Sequence, residues 1–497
     1  MGRTFSRAAS HSGRCGSRLG AVTLAAGVLA AFGVGCAAPT PETRPSLLLV
    51  VVDTLRADAV SAYGAVAGTT PAIDALAAGG VRYTHAYAPA PWTIPSHASL
   101  FTGLGVERHR VGIGNRMTAA PELVMLAERL RDAGYETAAF VENSLVGEPF
   151  GMMQGFEHTA VQPLTQGLAE IARAGSSTFD ALASLDAWAR RRDAGRPFFV
   201  FVNLIDAHEP YLVRPTNRFL PPGVDAARAA EVARAQSPMR ICDAIPPADE
   251  LAILHGLYLG DVAAADAKVG AIHRRVAAAA GAQLLVTIVT ADHGEHLGEH
   301  RLLDHNYTVR EAALRVPLVV AGLPDTAPAV VDTPVTLTDV TASVLTWAAV
   351  DGTDRLDGRP LPVAPGALPE PRDLLTAYSD SDAMRDDWPL DGKIPGPTPA
   401  RKRQHCGAED RVFGDMAALI RYPHKLIWYS RNAPQLFDVA QDPQERADLI
   451  DERPDVAQAL QAELAARLAR SRPFVRADDA TVDPRAREAL RALGYAE

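Results

Sequence analysis

Three short apolar runs, each followed by polar residues of the kind that bind ligands, constrain the fold of this chain more than any other feature. They lie at residues 47–52, 198–204 and 284–290. Runs that are apolar on both faces and rich in β-branched or aromatic residues are typical of central strands in a parallel sheet. We therefore expect a buried sheet with these three strands at its centre.

Segments with a helical pattern lie between the apolar runs, at residues 70–78, 123–133, 177–191 and 260–280. Strands that alternate with helices predict an α/β fold, in which a mostly parallel sheet is flanked by helices. In open sheets of this kind, ligands bind beyond the carboxyl ends of the strands. The residues found there are Asp53, Asp206, His208, Asp292 and His293.

A second region follows the turn-rich stretch at residues 360–371. Residues 379–412 are polar and rich in charges and prolines, which predicts a long loop. Residues 417–429 and 435–439 favour short strands, and residues 456–470 favour a terminal helix. We therefore predict a catalytic domain at residues 47–365 and a smaller C-terminal α+β domain at residues 366–497.

The N-terminus has the pattern of an export signal. The first 35 residues contain four arginines and no acid, and an apolar stretch leads to Cys36. The residues before Cys36 resemble a bacterial lipobox, in which the cysteine is acylated, although ordinary signal cleavage nearby is the alternative. We predict a signal and lipoprotein segment at residues 1–36, a tether at residues 37–46, and attachment to the outer membrane or cell surface by the lipid anchor alone.

The net charge of the chain bears on which classes of partner it can bind. Without the four leader arginines, the 49 Lys and Arg fall to 45, against 59 Asp and Glu, which gives a net charge of −14. Such a chain repels polyanions, so nucleic acid is not an expected partner.

Cys242 and Cys406 are the cysteines beyond the anchor. In an oxidising envelope compartment they can pair, and the alternative is two separate thiols.

Three segments carry the chemistry, at residues 52–58, 91–103 and 290–300. Their sequences are VDTLRAD, PWTIPSHASLFTG and TADHGEHLGEH. In order and spacing they resemble the sulfatase family of the alkaline-phosphatase superfamily, and the similarity extends over nearly all of the chain after the tether. The resemblance implies an alkaline-phosphatase-like fold and a metal-dependent hydrolase of sulfate esters, with a small molecule or a glycan as substrate.

A metal site is indicated at the strand ends. Asp53, Asp292 and His293 form a mixed oxygen and nitrogen set that suits a divalent cation, although a single Asp in such a place is more often a turn cap. The resemblance implies that these three are metal ligands and that Thr54, which stands where the family has a further acid, is the fourth. Ca²⁺ is the ion that the family implies, and this donor set also suits Mn²⁺, Zn²⁺ or Mg²⁺.

Thr93 occupies the position at which sulfatases carry a cysteine or serine that is oxidised to formylglycine. Threonine is not a substrate for that oxidation. His97, which we predict as a catalytic residue, stands where the modification signature has an arginine. We therefore predict an unmodified nucleophile and no formylglycine. Pro95 is suited to the first position of a helix that continues from Ser96. Such a helix would place Thr93 just before an anion-attracting N-terminus. The alternative is that Thr93 and Ser96 only cap that helix.

Two histidines complete the predicted site. His208 and His305 match positions where the family has charged or protonatable groups that hold the anion and protonate the leaving group. Asn143 stands where other members carry pocket residues. His296, by contrast, is expected at the surface as a partner of Glu299, with no catalytic role.

The threonine bears on the choice of reaction. Formylglycine hydrate expels sulfate with its second hydroxyl, whereas a threonine sulfate needs slow attack of water at sulfur. A threonine phosphate is cleared by a second in-line displacement, which gives hydrolysis or transfer of phosphate or phosphonate. The resemblance still gives sulfate esters a slight lead, and the alternative from another class is a non-catalytic lipoprotein that binds anionic glycans.

Overall fold

The computed structural model describes residues 44–113, 117–163, 179–235, 241–364, 372–380, 405–407 and 410–470. The predicted leader with Cys36 and nearly all of the tether lie outside the described residues, as does much of the loop predicted at residues 379–412. Among the described helices, none combines the length and the apolar character needed to cross a bilayer.

The first eleven strands that the structure describes form the core and a small hairpin. They are β1 (Ser46–Val52), β2 (Val81–Tyr87), β3 (Glu136–Val141), β4 (His158–Val161), β5 (Phe198–Leu204), β6 (Leu285–Thr290), β7 (His296–Leu297), β8 (Leu303–Asp304), β9 (Arg315–Ala321), β10 (Ala329–Val331) and β11 (Val335–Thr336). All but β7 and β8 belong to a nine-stranded sheet, with the order β10-β2-β9-β6-β1-β5-β3-β4 and with β11 paired to β2. The strands β7 and β8 pair only with each other.

Strand β1 lies at the centre of this sheet. It pairs in parallel with β5 on one side and with β6 on the other, and all of its residues are buried. Strand β9 runs antiparallel to both of its neighbours, β2 and β6. The predicted α/β class and the mostly parallel sheet are therefore confirmed, with β9 as the reversed strand.

Helices flank the sheet. Those within the described ranges are α1 (Pro71–Ala78), α2 (Thr93–Thr102), α3 (Val106–His109), α4 (Leu126–Asp132), α5 (Ala181–Ala189), α6 (Ala226–Arg234), α7 (Ala248–Ala280), α8 (Glu311–Leu314), α9 (Thr338–Trp347) and α10 (Pro454–Arg470). Helix α7 packs against β1, α1 and α5, while α2 packs against α9. Helix α2 begins at Thr93 and not at Ser96 as predicted, because proline is tolerated throughout the first turn, where backbone N–H groups have no helical partner.

The C-terminal region forms a second, antiparallel sheet. Its strands are β12 (Leu374–Tyr378), β13 (Met416–Arg421), β14 (His424–Tyr429) and β15 (Gln435–Asp438), which neighbour one another in that order. Helix α10 covers this sheet, with Leu460 and Leu464 packed against Leu419 and Leu426. The predicted α+β character of this region is confirmed, whereas the domain boundary at residues 365 and 366 stays a prediction.

A buried charge network joins the second sheet to the first region. Lys425 on β14 is fully buried, and its Nζ lies 2.9 Å from Glu311 Oε1 and 2.9 Å from Glu445 Oε1. Glu311 opens α8, and its backbone N–H donates to Glu445 Oε2 at 2.9 Å. One ammonium group therefore holds two buried carboxylates from separate parts of the chain.

Cys242 and Cys406 form a disulfide, which decides between the two alternatives that the sequence leaves open. The bond spans a sequence separation of 164 residues. Both cysteines pack in a small apolar cluster with Leu302, Tyr307 and Val412. The disulfide thus ties Cys406 to Cys242, and both lie beside the loop that contains His305.

We predict that Lys425→Met lowers the free energy of unfolding by about 3–5 kcal/mol, because Glu311 then stays buried without its ammonium partner and Glu445 keeps only the longer contact of 3.9 Å with Arg310. Arg421→Met on β13 is the matched control, since its ion pair with Asp373 involves a half-exposed arginine and such pairs contribute about 1 kcal/mol or less. Urea unfolding followed by circular dichroism measures both. Equal losses in the two variants would contradict the role given to burial.

We also predict that the double variant Cys242→Ser/Cys406→Ser lowers the free energy of unfolding by about 2–4 kcal/mol, because an open chain gains entropy when a long loop is no longer closed. Dithiothreitol should destabilise the wild type to the same extent and leave the double variant unchanged. A wild type that is insensitive to the reductant would show that the disulfide does not form in solution.

Candidate active site

The strand order brings the candidate residues to one edge of the sheet. Asp53 follows β1 directly, Asn143 follows β3, and Asp292 and His293 follow β6. Since β6, β1, β5 and β3 are consecutive parallel neighbours, their carboxyl ends meet at the same edge. Residues from three distant parts of the chain therefore share one small volume.

Asp53, Asp292 and His293 form a fully buried triad. His293 Nε2 lies 3.4 Å from Asp292 Oδ2 and 3.7 Å from Asp53 Oδ1. Neither of these carboxylate oxygens has a hydrogen-bond partner among the described residues. Neighbouring ligands on a divalent ion with bonds of about 2.1–2.6 Å lie roughly 3.0–3.7 Å apart, so the triad fits such an ion.

The other oxygen of each carboxylate is held in place. Asn143 Nδ2 donates to Asp53 Oδ2 at 2.7 Å. Asp292 Oδ1 accepts the backbone N–H groups of His293 at 3.0 Å and of Thr54 at 3.3 Å. One oxygen of each acid is thereby oriented, while the other is directed toward His293.

Electrostatics favour a cation at this point. Burial raises the pKa of Asp292 well above its usual range, and the Asp53 carboxylate adds to the effect. Burial also lowers the pKa of His293 well below its usual range, and nearby His305 contributes. His293 Nδ1 lies 2.9 Å from Gly294 O, and because a carbonyl only accepts, Nδ1 carries the proton. Nε2 therefore offers its lone pair to the triad.

Thr54 contacts the triad through its backbone N–H, which donates to Asp292 Oδ1. Its hydroxyl donates to Ala207 O at 2.8 Å, and its φ of 55° turns the chain sharply after Asp53. Its predicted role as a metal ligand stays a prediction.

Thr93 is the first residue of α2 and is buried against the triad. Its Oγ1 lies 3.4 Å from His293 Nε2. The N-cap position of α2 belongs to Trp92, and no side chain caps the helix. Ser96 Oγ instead donates to Asp292 O at 2.6 Å, which anchors the helix to the end of β6. The interpretation of Thr93 and Ser96 as simple helix caps therefore does not hold.

His97 is fully buried behind Thr93. Its Nδ1 lies 2.9 Å from Thr93 O and 3.4 Å from Asp292 Oδ2. Burial lowers its pKa, although the Asp53 carboxylate opposes this. A neutral His97 donates from Nδ1 to the carbonyl and so fixes the first turn of α2.

His208 and His305 lie together next to the triad, and their predicted catalytic roles stay predictions. Their ring centroids are 5.1 Å apart, and the His305 ring lies 4.4 Å from the His293 ring. His305 Nδ1 contacts Asp304 Oδ1 at 3.0 Å and Glu295 Oε1 at 3.4 Å. Burial alone would lower the pKa of His305, but these two carboxylates overcome it and raise the pKa well above its usual range.

Sequence reasoning missed two acids that contact His305, namely Glu295 and Asp304, and misplaced one histidine. Glu295 stands in the motif at residues 290–300, but nothing in the pattern shows that it meets Asp304, since β7 and β8 bring them together. His296 was expected at the surface, and this is wrong. It is fully buried, its ring nitrogens have no partner among the described residues, and burial lowers its pKa to about 3.

The sequence profile of the sulfatase family matches residues 45–350, more than half of the chain. The chain belongs to the sulfatase family. This sulfatase-family protein is 24% identical over 446 residues to the uncharacterized sulfatase YidJ of Escherichia coli K12, with 82% of this chain and 84% of YidJ covered.

Solved structures agree on the fold. The phosphonate monoester hydrolase of Agrobacterium radiobacter is similar with a TM-score of 0.66 and 21% identity, over 86% of this chain and 95% of that one. A protein solved with its substrate D-glucosamine-2-N,6-O-disulfate is similar with a TM-score of 0.64 and 18% identity, over 86% of this chain and 98% of that one. The predicted family, its fold and its class as an ester hydrolase are confirmed.

We predict that Asn143→Ala weakens the binding of a divalent cation about 10–100-fold, because Asp53 loses the partner that orients it. Binding of Mn²⁺ to chelator-treated protein, followed by calorimetry, measures the affinity. Asn217→Ala is the control, since that amide donates to Gly256 O away from the triad. Unchanged affinity in Asn143→Ala would show that Asp53 needs no such support.

Proposed function

We propose that this sulfatase-family protein is a metal-dependent hydrolase of phosphate or phosphonate monoesters, with the unmodified hydroxyl of Thr93 as its nucleophile. The observation that carries the proposal is the position of this hydroxyl, 3.4 Å from His293 Nε2 and next to two carboxylates with unsatisfied oxygens. A hydroxyl attacks an ester effectively only where its alkoxide form is stabilised.

Asp53, Asp292 and His293 are the residues that would hold one divalent ion, with Thr54 as a predicted further ligand. Bound there, the ion supplies positive charge that favours the alkoxide and offsets charge on the ester. Ca²⁺ is the ion that the family implies, and the imidazole ligand also suits Mn²⁺ or Zn²⁺.

The protein's own groups would hold the anion. The first turn of α2 presents backbone N–H groups without helical partners, and a helix N-terminus attracts phosphate-like anions. His97 keeps this turn in place through its hydrogen bond to Thr93 O. His208 and His305 are the candidates for contact with the leaving group, as proton donors or as carriers of positive charge.

The reaction then consists of two displacements. The Thr93 hydroxyl gives up its proton to solvent, and Thr93 Oγ attacks phosphorus. The bond from phosphorus to the leaving oxygen breaks, and that oxygen takes up a proton from solvent or from one of these histidines as the alcohol departs. Water next attacks the same phosphorus, the bond to Thr93 Oγ breaks, and Thr93 regains its proton. An acceptor alcohol in place of water would give transfer.

Sulfate esters are the second candidate, favoured by family membership itself. A sulfated threonine lacks the second hydroxyl with which formylglycine hydrate expels sulfate. Release would then depend on attack of water at sulfur, which is slow. This is the physical reason for placing phosphorus esters first.

A catalytically inactive protein that binds anionic glycans is the alternative from another class. A binding protein has no need for two oriented carboxylates, a neutral imidazole and a hydroxyl in one buried volume. The intact set therefore favours catalysis, with a glycan or a small molecule as the ester.

We also propose that the protein acts in the cell envelope, held by a lipid on Cys36. The support is the arginine-rich leader, the apolar stretch and the lipobox-like residues before Cys36. The Cys242–Cys406 disulfide agrees with an oxidising compartment.

We predict that Thr93→Ala lowers kcat/KM for p-nitrophenyl phosphate or phenylphosphonate esters about 1,000-fold or more, because the nucleophile is lost. Thr93→Ser keeps a hydroxyl and should retain most of the activity. Metal content, measured in parallel, should be the same in all three proteins.

Two results would contradict the proposal. Faster wild-type turnover of p-nitrophenyl sulfate than of either phosphorus ester would favour the sulfate candidate. Undiminished turnover by Thr93→Ala would remove Thr93 as the nucleophile for any ester.

A further inference from the structure

Helix α7 presents a row of polar side chains to the segments that follow the central strands. Tyr258, Asp261 and Lys268 are three and then seven residues apart, a spacing that places them on one face of the helix. The Tyr258 hydroxyl donates to Thr54 O at 3.0 Å and accepts the backbone N–H of Arg56 at 2.9 Å. The proposed mechanism uses none of the three side chains of this row.

Lys268 joins the ends of two neighbouring strands, β3 and β5. Its Nζ lies 2.9 Å from Oε1 of Glu142, which follows β3 directly, and 2.6 Å from Oδ2 of Asp206, two residues after β5. Both carboxylate side chains are more than nine-tenths buried. Burial alone would lower the pKa of Lys268, but Asp206 and Glu142 overcome it and raise the pKa. The ammonium group is therefore charged and lies between two buried acids.

The chain after β5, residues 205–214, is called here the His208 segment, and it is fastened to α7 at its far end. Leu212 N–H donates to Asp261 Oδ2 at 2.7 Å, and Arg214 Nε donates to Asp261 Oδ1. Arg214 Nη2 also donates to Asp206 Oδ1 at 3.2 Å. Charged groups of α7 therefore hold both ends of this segment.

The orientation of the His208 ring depends on the backbone of its segment. His208 Nδ1 lies 2.6 Å from Glu209 O, and because a carbonyl only accepts, Nδ1 carries the proton. The start of the segment is held by Ile205 N–H, which donates to Glu142 Oε2 at 3.1 Å. A shift of the Glu142 carboxylate would therefore move this backbone and the ring with it.

We propose that Lys268 is a positioning residue of the candidate active site, which acts through His208. This inference rests on the proposed function, in which His208 contacts the leaving group. Without Lys268, Glu142 would have no cationic partner among the described residues and would stay buried beside Asp206. Two acids in that situation repel each other, and the His208 segment would move away from its place beside the triad.

Binding of a cation by the triad should not depend on Lys268. Asn143, which orients one carboxylate of the triad, follows Glu142 in the chain but is held by bonds of its own. Its backbone N–H donates to Asn203 Oδ1 at 2.9 Å, and its Oδ1 accepts the N–H of Leu145 at 3.0 Å. We therefore expect Lys268→Met to change the affinity for Mn²⁺ less than about twofold.

Steady-state kinetics with p-nitrophenyl phosphate and phenylphosphonate esters gives the first test. We expect Lys268→Met to lower kcat/KM about 10–100-fold, because a displacement of about 1 Å at a group that contacts the reactants has an effect of this size. Lys268→Arg keeps a cation and should retain most of the activity. Arg275→Met on the same helix is the control, since the side chains of its ion pair with Asp186 are both more than a third exposed.

A double-mutant cycle separates action through His208 from a general loss of structure. The variant His208→Ala/Lys268→Met should be no slower than His208→Ala, because Lys268 then has no ring left to position. Losses that multiply in the double variant would overturn the proposal. A Lys268→Met variant as active as Arg275→Met would overturn it as well. Near-ultraviolet circular dichroism checks folding, and Lys268→Gln replaces Lys268→Met if the latter does not fold.

Hydrogen exchange followed by mass spectrometry measures the same effect without any substrate. Amides at residues 205–212 should exchange about tenfold faster or more in Lys268→Met than in the wild type or in Arg275→Met, whereas those of β1 should not change. Unchanged exchange at residues 205–212 would overturn the proposal. Faster turnover of a sulfate ester than of either phosphorus ester would count against the proposed reaction alone, and the cycle with that sulfate ester would still test Lys268.

Discussion

The parallel pairing of β1 with β5 and β6 is the constraint on which the rest of the structure depends. Every residue of β1 is buried, and both neighbours are paired along nearly its full length. Burial of apolar side chains contributes about 1.5–3 kcal/mol for each large aliphatic residue, so the register of β1 is strongly specified. Because Val51 is opposite Thr290, Asp53 and Asp292 emerge side by side. Two carboxylates are thus forced together by apolar residues that have no role in chemistry.

The same constraint fixes the position of Thr93, the proposed nucleophile. Helix α2 has no side-chain cap of its own, and its first turn is tied down by Ser96 and His97, which contact Asp292. The end of β6 therefore sets the position of both the candidate ligands and Thr93. A change that shifts this strand end would move the hydroxyl and the carboxylate together, which preserves their relative geometry.

Much of the fold was predictable because its signals are local. The runs that became β1, β5 and β6 are short and apolar on both faces, a pattern typical of central parallel strands. Strand β9 was not predicted, because Pro317 interrupts its pattern and its direction depends on which neighbours it finds. The candidate triad followed from the rule that sites form at strand ends, whereas the meeting of Glu209, Glu295 and Asp304 depends on tertiary contacts that no spacing reveals. The burial of His296 has the same origin, since it lies on a short strand that exists only in the folded chain.

The unmodified Thr93 that we propose as nucleophile changes what its surroundings must provide. A formylglycine hydrate contains the group that expels its own ester, so the protein around it needs only to bind and protonate. A threonine ester must be removed by a second attack, and the site must then stabilise negative charge twice at the same centre. Positive charge close to Thr93 is therefore more important here than in a site with the modified residue. The side chains beside it, however, are two acidic groups, Asp53 with Asp292 and Glu295 with Asp304, that surround His293 and His305. The cation that we propose at Asp53, Asp292 and His293 would offset this negative charge, so we expect binding of metal to precede binding of an anionic ester.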